Sequence, residues 1–528
     1  MGDQTSAGLP GWLTPLPDAE QQRAADAWAI NERGVAALEL MERAGSGLAE
    51  VVARLAPEGR IAVVAGKGNN GGDGLVAARL LRDAGRQVDV LLVAPGDDLR
   101  GDARANLERL PGSAPRAFEA AALTGASAVI DAILGTGFAG EPRGGTREAI
   151  DAINAVHAAV GGVVVACDVP SGVDASTGEV AAGAVLADAT VSFAAAKPGL
   201  WISPGKRHVG ELTVIDIGIP DGAPGAPTIG LIEPAVLDAV PRRGRESDKF
   251  AAGAVLVCGG SAGLTGAPCL ASLAAMRAGA GYVTALVPAS LALVFELRLL
   301  EAMSVPLPDE QGALSEQATE PVLERCARAG ALVLGPGFGR ADCSRALARE
   351  LARRVPIPLL LDADGLNASR LGELAGRSAA TVLTPHAGEL SRLLECDRAE
   401  VDANRLALAR RAAALGRAIV VLKGDDTLVA APDGRVAVSR GGAAALATAG
   451  TGDVLSGVIG AHLAKAMEPF AAACAGVLLH ARAGRMAATS IGEEGVIAGD
   501  VIELLPQARA AGGTVMESAS RVGTTRSG

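Results

Sequence analysis

The stretch that decides the fold of the first half of the chain is Gly66-Lys67-Gly68-Asn69-Asn70-Gly71-Gly72-Asp73-Gly74. A β-like apolar run at 60–65 precedes it, and an apolar helical pattern follows it. Glycines at a strand-to-helix turn let backbone N–H groups and the start of the helix approach a ligand closely. The sequence therefore predicts a βαβ unit with a binding loop at its first turn.

Outward from this loop, short buried-strand patterns alternate with Ala-rich helical patterns along most of the chain. The predicted strands are 60–65, 87–94, 127–134, 162–169, 189–193 and 211–217, and then 254–258, 282–287, 331–334, 358–362, 381–383 and 418–422. The segments 428–431 and 435–438 flank Pro432-Asp433-Gly434 and predict a hairpin. The pattern at 18–55 is helical, and the last helix is expected to end near Leu505-Pro506. This alternation is typical of α/β domains with mostly parallel, doubly wound sheets.

The predicted division of the chain rests on a change in composition. A Pro/Gly-rich stretch at 220–227 precedes a charged stretch at 242–249. We expect a first domain at 1–222, a linker and domain entry at 223–247, a second domain at 248–507 and a disordered tail at 508–528. Both domains are expected to be three-layer αβα structures, the first of them Rossmann-like.

Composition limits the classes of function. The formal net charge of −11 argues against non-specific nucleic-acid binding, which needs a basic surface. The seven cysteines are scattered without a CxxC pair, so neither a disulfide framework nor a zinc site is indicated. Residues 1–18 lack the features of a signal peptide, and no apolar run suits a membrane span. We expect a cytoplasmic protein without a membrane segment.

In the first half, polar side chains stand at the ends of predicted strands. Asp131 ends one strand, and Asp168 and Ser171 follow the next, while Asn70 lies in the glycine-rich loop. Carboxylate, hydroxyl and amide oxygens at one sheet edge suit a hard cation or acid–base chemistry. Each aspartate taken alone is more often a turn former or a helix cap, and Asp73 has the same alternative as an N-cap.

In the second half, Thr448-Ala449-Gly450-Thr451-Gly452-Asp453 opens a helical pattern. Such a turn suits a transferring phosphoryl group, and Asp453 suits the removal of a proton from an attacking hydroxyl. Lys423 to Thr427 ends an apolar strand, as a nucleotide-binding loop does, although a solvated strand-end lysine is an equal alternative. His386 in Thr384-Pro385-His386-Ala387-Gly388-Glu389 is by itself more often structural.

Over residues 15–220 the chain resembles the NAD(P)H-hydrate epimerase family. The resemblance rests on Leu40-Met41-Glu42-Arg43-Ala44-Gly45, the glycine-rich loop, and the segments 131–141 and 167–174. It implies interconversion of the R and S forms of the hydrated nicotinamide ring, with Asp168 as the catalytic residue. It implies potassium binding by Asn70, Asp131 and Ser171. The implied substrate contacts are Asn69, Asn70, Gly71, Gly72, Asp73, Gly135, Thr136, Gly137, Phe138, Ala139, Gly140, Glu141 and Asp168.

Residues 240–507 resemble the ADP/ATP-dependent NAD(P)HX dehydratase family, which has the ribokinase-like fold. The motifs are 259–268, 335–339, 362–367, 384–389, 423–427 and 448–457. The resemblance implies that Asp453 is catalytic and that Ala267, Gly337, His386 and Asp453 line the hydrate site. It implies a nucleotide site formed by Lys423, Gly424, Asp425, Asp426, Thr427 and Gly452. Where this family has a Ser-His-Lys-Gly-like segment, the chain has Ser247-Asp248-Lys249-Phe250.

Together the two resemblances imply repair of NADHX and NADPHX, with ADP as co-substrate, K⁺ in the first domain and Mg²⁺ on the nucleotide phosphates of the second. They also lead us to expect a homo-oligomer that binds neither nucleic acid nor membrane. One alternative is a ribokinase-like small-molecule kinase, because such enzymes share Gly-Thr-Gly-Asp. In that alternative the first domain is a ligand-binding or scaffold module.

Overall fold

The computed structural model describes residues 8–160, 162–244, 252–510 and 524–525. Within them the chain forms two compact units. The first is built from Pro15–Ile229, and the second from Pro10–Thr14 and Gly230–Val515. The departure at Ser247-Asp248-Lys249-Phe250 lies outside the described residues, as does most of the tail expected at 508–528.

The strands, in chain order, are β1 (Leu13–Pro15), β2 (Ile61–Ala65), β3 (Val88–Leu92), β4 (Arg116–Ala117), β5 (Ala128–Ala132), β6 (Val163–Cys167), β7 (Ala189–Phe193), β8 (Glu211–Ile215), β9 (Ile229–Ile232), β10 (Ala254–Cys258), β11 (Tyr282–Pro288), β12 (Met303–Leu307), β13 (Asp309–Glu310), β14 (Ala313–Leu314), β15 (Ala331–Leu334), β16 (Leu359–Leu361), β17 (Thr381–Leu383), β18 (Ile419–Leu422), β19 (Leu428–Ala430), β20 (Val436–Val438) and β21 (Thr524–Thr525).

The α-helices are α1 (Ala19–Asn31), α2 (Ala37–Leu55), α3 (Asn69–Asp83), α4 (Gly101–Glu108), α5 (Gly145–Val160), α6 (Gly266–Arg277), α7 (Ala292–Arg298), α8 (Thr319–Cys326), α9 (Asp342–Arg354), α10 (Asp364–Ala368), α11 (Leu371–Leu374), α12 (Ala387–Leu394), α13 (Arg398–Ala403), α14 (Arg405–Gly416), α15 (Thr451–Ala464), α16 (Pro469–Ile491) and α17 (Ala498–Ala510).

The sheet of the first unit has the order β21-β8-β7-β6-β5-β2-β3-β4, and its strands pair in parallel. Successive residues of a strand point to opposite faces of the sheet. Val63 accordingly packs in one buried cluster with Leu48 of α2, whereas Val64 packs in another with Ile150 of α5. Helices therefore cover both faces, which confirms the predicted three-layer α/β class.

The larger sheet of the second unit has the order β1-β9-β20-β19-β18-β17-β16-β15-β10-β11-β12. The strands from β18 through β15 and β10 to β12 pair in parallel. The strands β18, β19 and β20 pair antiparallel, which confirms the predicted hairpin. Both sheets place the carboxyl ends of their central parallel strands at one edge, where open α/β sheets bind ligands.

Three sequence predictions differ from the structure. The helical pattern at 18–55 is two helices, because Gly34 with φ +72° breaks it between α1 and α2. The last helix continues through Pro506 to Ala510. The segment 223–247, predicted as linker and domain entry, contains the strand β9, so the sheet of the second unit begins before the predicted domain boundary at 248.

Candidate active sites

The glycine-rich loop of the first unit is tightly packed at its base. A side chain on Gly66 would lie 2.1 Å from the carbonyl oxygen of Ile133, and one on Gly71 would lie 2.0 Å from that of Gly66. Only glycine allows these approaches, and Gly71 already belongs to the first turn of α3. These glycines therefore hold the start of α3 close against the end of β5. The N-cap of α3 is Gly68, which corrects the alternative that Asp73 caps this helix.

Asp131 and Ser171 form a buried hydrogen-bonded pair at neighbouring strand ends. Ser171 Oγ donates to Asp131 Oδ1 at 2.6 Å, and Ser171 N donates to Oδ2 at 2.8 Å. Burial raises the pKa of Asp131 to about 6, although these hydrogen bonds act in the opposite direction. Asn70 Nδ2 donates to the carbonyl of Leu134 at 2.9 Å, and Leu134 N donates to Ser171 Oγ at 2.9 Å. The structure thus links all three residues predicted to bind potassium.

Asp168 has a left-handed backbone conformation, with φ +65°. Its carboxylate accepts hydrogen bonds from Lys197 Nζ at 2.5 Å and from the backbone N and side chain of Thr136. Burial alone would raise the pKa of Asp168, but the Lys197 ammonium and the Thr136 hydrogen bonds outweigh it and lower that pKa. Asp168 therefore presents an ionised carboxylate directly after the end of β6.

A cavity of about 850 Å³ opens beside these residues. Nine of the predicted substrate contacts line it: Asn69, Asn70, Asp73, Gly135, Thr136, Gly137, Phe138, Ala139 and Asp168. The other four, Gly71, Gly72, Gly140 and Glu141, do not line it. Gly72 instead packs against Met41 and Ala103, where a side chain would meet Met41 at 2.7 Å.

Sequence reasoning missed several charged groups of this cavity. Lys197 and Asp26 both line it, together with Arg143. Lys197 is 1% exposed, and Asp26 on α1 accepts a hydrogen bond from Gln22 at 2.9 Å. No sequence motif marks Lys197 as a residue of the site. The one available signal was its place four residues after the predicted strand 189–193.

The second unit places Asp453 in the first turn of α15. The N-cap is Gly450, whose φ of +91° turns the chain into the helix. Burial is the largest cause that raises the pKa of Asp453 to about 7, and the Asp362 carboxylate adds to it while Lys423 opposes it. A group with this pKa suits proton transfer near neutral pH.

Lys423 reaches this site from the end of β18. Its Nζ donates to Asp362 Oδ1 at 3.0 Å and lies 3.7 Å from Glu389 Oε2. Burial alone would lower the pKa of Lys423, but the Asp362 and Glu389 carboxylates outweigh it and raise that pKa. A Cβ atom added to Gly452 would lie 3.5 Å from Lys423 Nζ. The predicted nucleotide residues Lys423 and Gly452 are therefore neighbours.

The other predicted residues of the second unit divide into two groups. Gly424 and Asp425 are exposed and Thr427 is half-buried, but Asp426 is buried and pairs with Arg405, whose Nε donates to it at 2.9 Å. The carboxylate of Asp426 is therefore turned away from the solvent side of the loop. Across the unit, a Cβ atom added to Gly337 would lie 3.3 Å from that of Ala267.

His386 is the N-cap of α12. Its Nδ1 accepts hydrogen bonds from Gly388 N at 2.9 Å and Glu389 N at 3.3 Å. Burial, followed by the charge of Lys423, lowers the pKa of His386. The neutral ring with an accepting Nδ1 carries its proton on Nε2, which makes that atom a donor. His386 thus has the structural role weighed above and also a donor at Nε2, which lies 3.7 Å from Glu389 Oε1.

Two observations concern the whole described chain. Among the described residues, no helix is long and apolar enough to cross a membrane. In the same residues no group of three or more His, Cys, Asp and Glu side chains is arranged to hold a metal ion.

Comparison with known proteins gives matches to both units. Residues 37–199 match the family model described as YjeF-related protein N-terminus, and residues 255–507 match that described as NAD(P)H-hydrate dehydratase. The bifunctional NAD(P)H-hydrate repair enzyme of Moorella thermoacetica is 40% identical over 511 residues, which cover 93% of this chain and 96% of that protein. The enzyme of the same name from Salinibacter ruber is 36% identical, covering 94% and 96%. A solved ADP/ATP-dependent NAD(P)H-hydrate dehydratase from Bacillus subtilis, co-crystallised with ATP and Mg²⁺, is 27% identical with a TM-score of 0.45, covering 52% and 94%.

Proposed function

This chain belongs to the family of bifunctional NAD(P)H-hydrate repair enzymes, and we propose how its residues divide the two reactions. It is an enzyme with epimerase and dehydratase activities. We assign epimerisation to the domain predicted at 1–222 and dehydration to that predicted at 248–507. This division rests on the observation that each unit has its own candidate catalytic carboxylate. Asp168 follows a strand in the first unit, and Asp453 lies in the first turn of a helix in the second.

In the first unit we propose that the hydrated dinucleotide occupies the cavity of about 850 Å³. The size of this cavity suits part of a dinucleotide. Epimerisation requires a proton to move to or from the hydroxyl or the ring nitrogen, and the ionised Asp168 is placed to accept it. Thr136, which donates to Asp168, and the segment 135–139 would position the ring.

A potassium ion fits beside this cavity. Asn70 Oδ1 is buried and has no hydrogen-bond partner among the described residues, although such a group ordinarily has one. With Asp131 and Ser171 it would supply amide, carboxylate and hydroxyl oxygens, the ligands that a hard cation prefers. The cation would supply a fixed positive charge. The binding loop would thereby be tied to the ends of β5 and β6.

In the second unit we propose that Asp453 takes the proton of the hydrate's hydroxyl group while the oxygen of that hydroxyl attacks the terminal phosphate of ADP. The bond between the two phosphates of ADP breaks and AMP leaves. The phosphate ester then expels phosphate, which takes the proton lost by the neighbouring ring carbon, and the double bond is restored. The start of α15 stabilises negative charge on the phosphoryl group. Lys423, Gly424, Asp425, Thr427 and Gly452 would hold the nucleotide, and Asp426 would shape the loop through Arg405.

Magnesium would be bound mainly by the phosphates of the nucleotide. The carboxylate of Glu389, which lies 3.7 Å from Lys423 Nζ, is of the type that suits this ion. The hydrated ring would be faced by His386 Nε2, Ala267 and Gly337.

Three further properties belong to this proposal: binding of ADP in preference to ATP, a homo-oligomeric state and a cytoplasmic location. The seven free cysteines agree with the cytoplasmic location.

The test is recovery of the near-ultraviolet absorbance of NADH from a mixture of its R and S hydrates. The purified chain is supplied with Mg²⁺, K⁺ and either ADP or ATP. We expect full recovery with ADP. Recovery of the S fraction alone would contradict epimerase activity. No recovery, with a stable phosphorylated product from another hydroxyl compound, would favour the small-molecule kinase.

A further inference from the structure

The ammonium group of Lys197 has no spare hydrogen-bond donor. An ammonium group has three N–H bonds. Lys197 Nζ lies 2.5 Å from Asp168 Oδ1, 3.0 Å from Ser192 Oγ and 2.9 Å from the carbonyl oxygen of Phe193. All three donors therefore have acceptors, and the side chain is 1% exposed. Lys197 cannot also donate to a substrate or to another carboxylate without breaking one of these bonds.

Asp73 lines the same cavity but, unlike Lys197, its side chain has no bonding partner among the described residues. Within the described part of the chain, its carboxyl has no hydrogen bond and no ion pair. Burial raises the pKa of Asp73 well above its usual range, and the nearby Asp168 charge raises it further, while Lys197 lowers it and Asp26 raises it. Lys197 is the one buried cation among the described residues that line this cavity, and it is already paired with Asp168. Ionisation of Asp73 would therefore leave a second, unpaired charge in the cavity.

We propose that Lys197 is a positioning residue that divides the two carboxyls of the epimerase site, holding Asp168 as the proton acceptor and leaving Asp73 as the proton donor. This inference rests on the proposed epimerase function and deepens it. Two carboxyls in one site commonly take opposite roles when their surroundings separate their protonation states. The charged residues that line the cavity with this pair are Arg23, Asp26, Lys67, Asp102, Arg143 and Lys197. Of these, Lys197 and Asp26 act on the pKa of Asp73, and Thr136 and Ser192 are neutral donors to Asp168.

The division gives a balanced reaction. Hydration of an enamine double bond leaves the hydroxyl on the carbon bonded to the ring nitrogen. Asp168 takes the hydroxyl proton, the C–O bond becomes a carbonyl, and the electron pair of the C–N bond goes to nitrogen, which takes the proton of Asp73. Rotation of the open-chain aldehyde presents its other face. Nitrogen then adds back with both proton transfers reversed, giving the other epimer and restoring both carboxyls.

The test uses the full chain without ADP, so that dehydration does not take place. The ratio of the R to the S hydrate is followed by chromatography across a range of pH. For the wild type we expect kcat to fall at low pH as Asp168 is protonated and at high pH as Asp73 loses its proton. In Lys197→Met the low-pH limb moves up by about 1 pH unit or more, since the buried Asp168 loses its cation. Lys197→Arg retains the charge and is expected to restore part of the wild-type profile.

Asp73→Asn tests the donor independently, because this side chain has no partner to lose. We expect kcat to fall about 100-fold, the high-pH limb to vanish and KM to change little. Glu211→Gln, a half-exposed carboxylate on β8, is the matched control. An unmoved low-pH limb in folded Lys197→Met, or a change in KM alone in Asp73→Asn, overturns the inference while the epimerase function stands. If Lys197→Met does not fold, the result for Asp73→Asn alone decides whether the inference stands. A wild type that leaves the epimer ratio unchanged overturns both.

Discussion

Ser456 Oγ donates a 2.7 Å hydrogen bond to Asp362 Oδ2, which joins the middle of α15 to the end of β16. The other oxygen of Asp362 accepts from Lys423 Nζ. Asp362 is therefore held between a helix and a strand end at 2% exposure, and its charge acts on Asp453 from a fixed position. A mutation that removes the charge of Asp362 should therefore change the pKa of Asp453.

We predict that Asp362→Asn lowers the pH at which dehydration reaches half its maximum. Asp453 acts as a base, so activity rises with pH through its pKa of about 7. Loss of the neighbouring negative charge favours the ionised form of Asp453 and moves the midpoint down. Initial rates of NADH recovery across pH measure it. Ser456→Ala keeps all the charges and is the control, in which the midpoint stays near that of the wild type.

We predict that Asp453→Asn abolishes dehydration and leaves epimerisation near the wild-type rate. The amide cannot take the hydroxyl proton, and a loss of about 100-fold or more in kcat is expected for removal of a general base. Asp168→Asn is its counterpart, with epimerisation lost and dehydration of the S form retained. Separate assays on purified epimers measure both. One substitution that removed both activities from a folded chain would show that the two-site assignment is wrong.

We predict that His462 contributes to acid unfolding of the second unit. It is completely buried, and burial is the largest cause that lowers its pKa from 6.5 to about 4. The hydrogen bond with the Ala472 carbonyl opposes this shift, and the charges of Lys465 and Arg509 add to it. The unfolded chain therefore binds this proton first. The stabilising contribution is complete above pH 6.5 and is lost as pH falls toward 4, by about 3 kcal/mol in total.

Urea unfolding of wild type and His462→Gln at several pH values tests this. The variant is expected to lose less stability between neutral pH and pH 4, because its side chain does not titrate. His480, whose pKa is also lowered to about 4 by burial, remains in both proteins. Parallel stability curves for the two proteins would contradict the prediction.

We predict that Gly450→Ala destabilises the second unit by about 1–2 kcal/mol and reduces dehydration, because a side chain strains a left-handed N-cap. The added Cβ would also meet Leu270 Cδ1 at 2.7 Å. Epimerisation should be unchanged. Gly372→Ala is the control: it lies in α11 with open space around it and ordinary backbone geometry. Thermal unfolding with both activity assays measures the effect, and equal behaviour of the two variants would count against it.

The parallel strands were predictable because a buried strand in such a sheet is a continuous apolar run, as at 61–65 and 331–334. The positions of Asp168 and Asp453 were predictable for a related reason, since one directly follows a strand and the other a glycine turn, and their catalytic roles stay predictions. The break at Gly34 was not, because isolated glycines also occur inside helices. Lys197 and Asp26 were missed since only folding brings them to Asp168, from 29 residues further along the chain and from a separate helix.

The strand β1 belongs to the sheet of the second unit, although the chain passes through the whole first unit before it returns there. During synthesis this strand leaves the ribosome first and its neighbour β9 more than 200 residues later. The second sheet therefore gains its edge strand only through a contact of very long sequence separation, which is slow to form. A gene fragment that begins just before Ile229 would encode a sheet with β9 exposed at its edge. An unpaired edge strand of this kind favours aggregation when the unit is expressed alone.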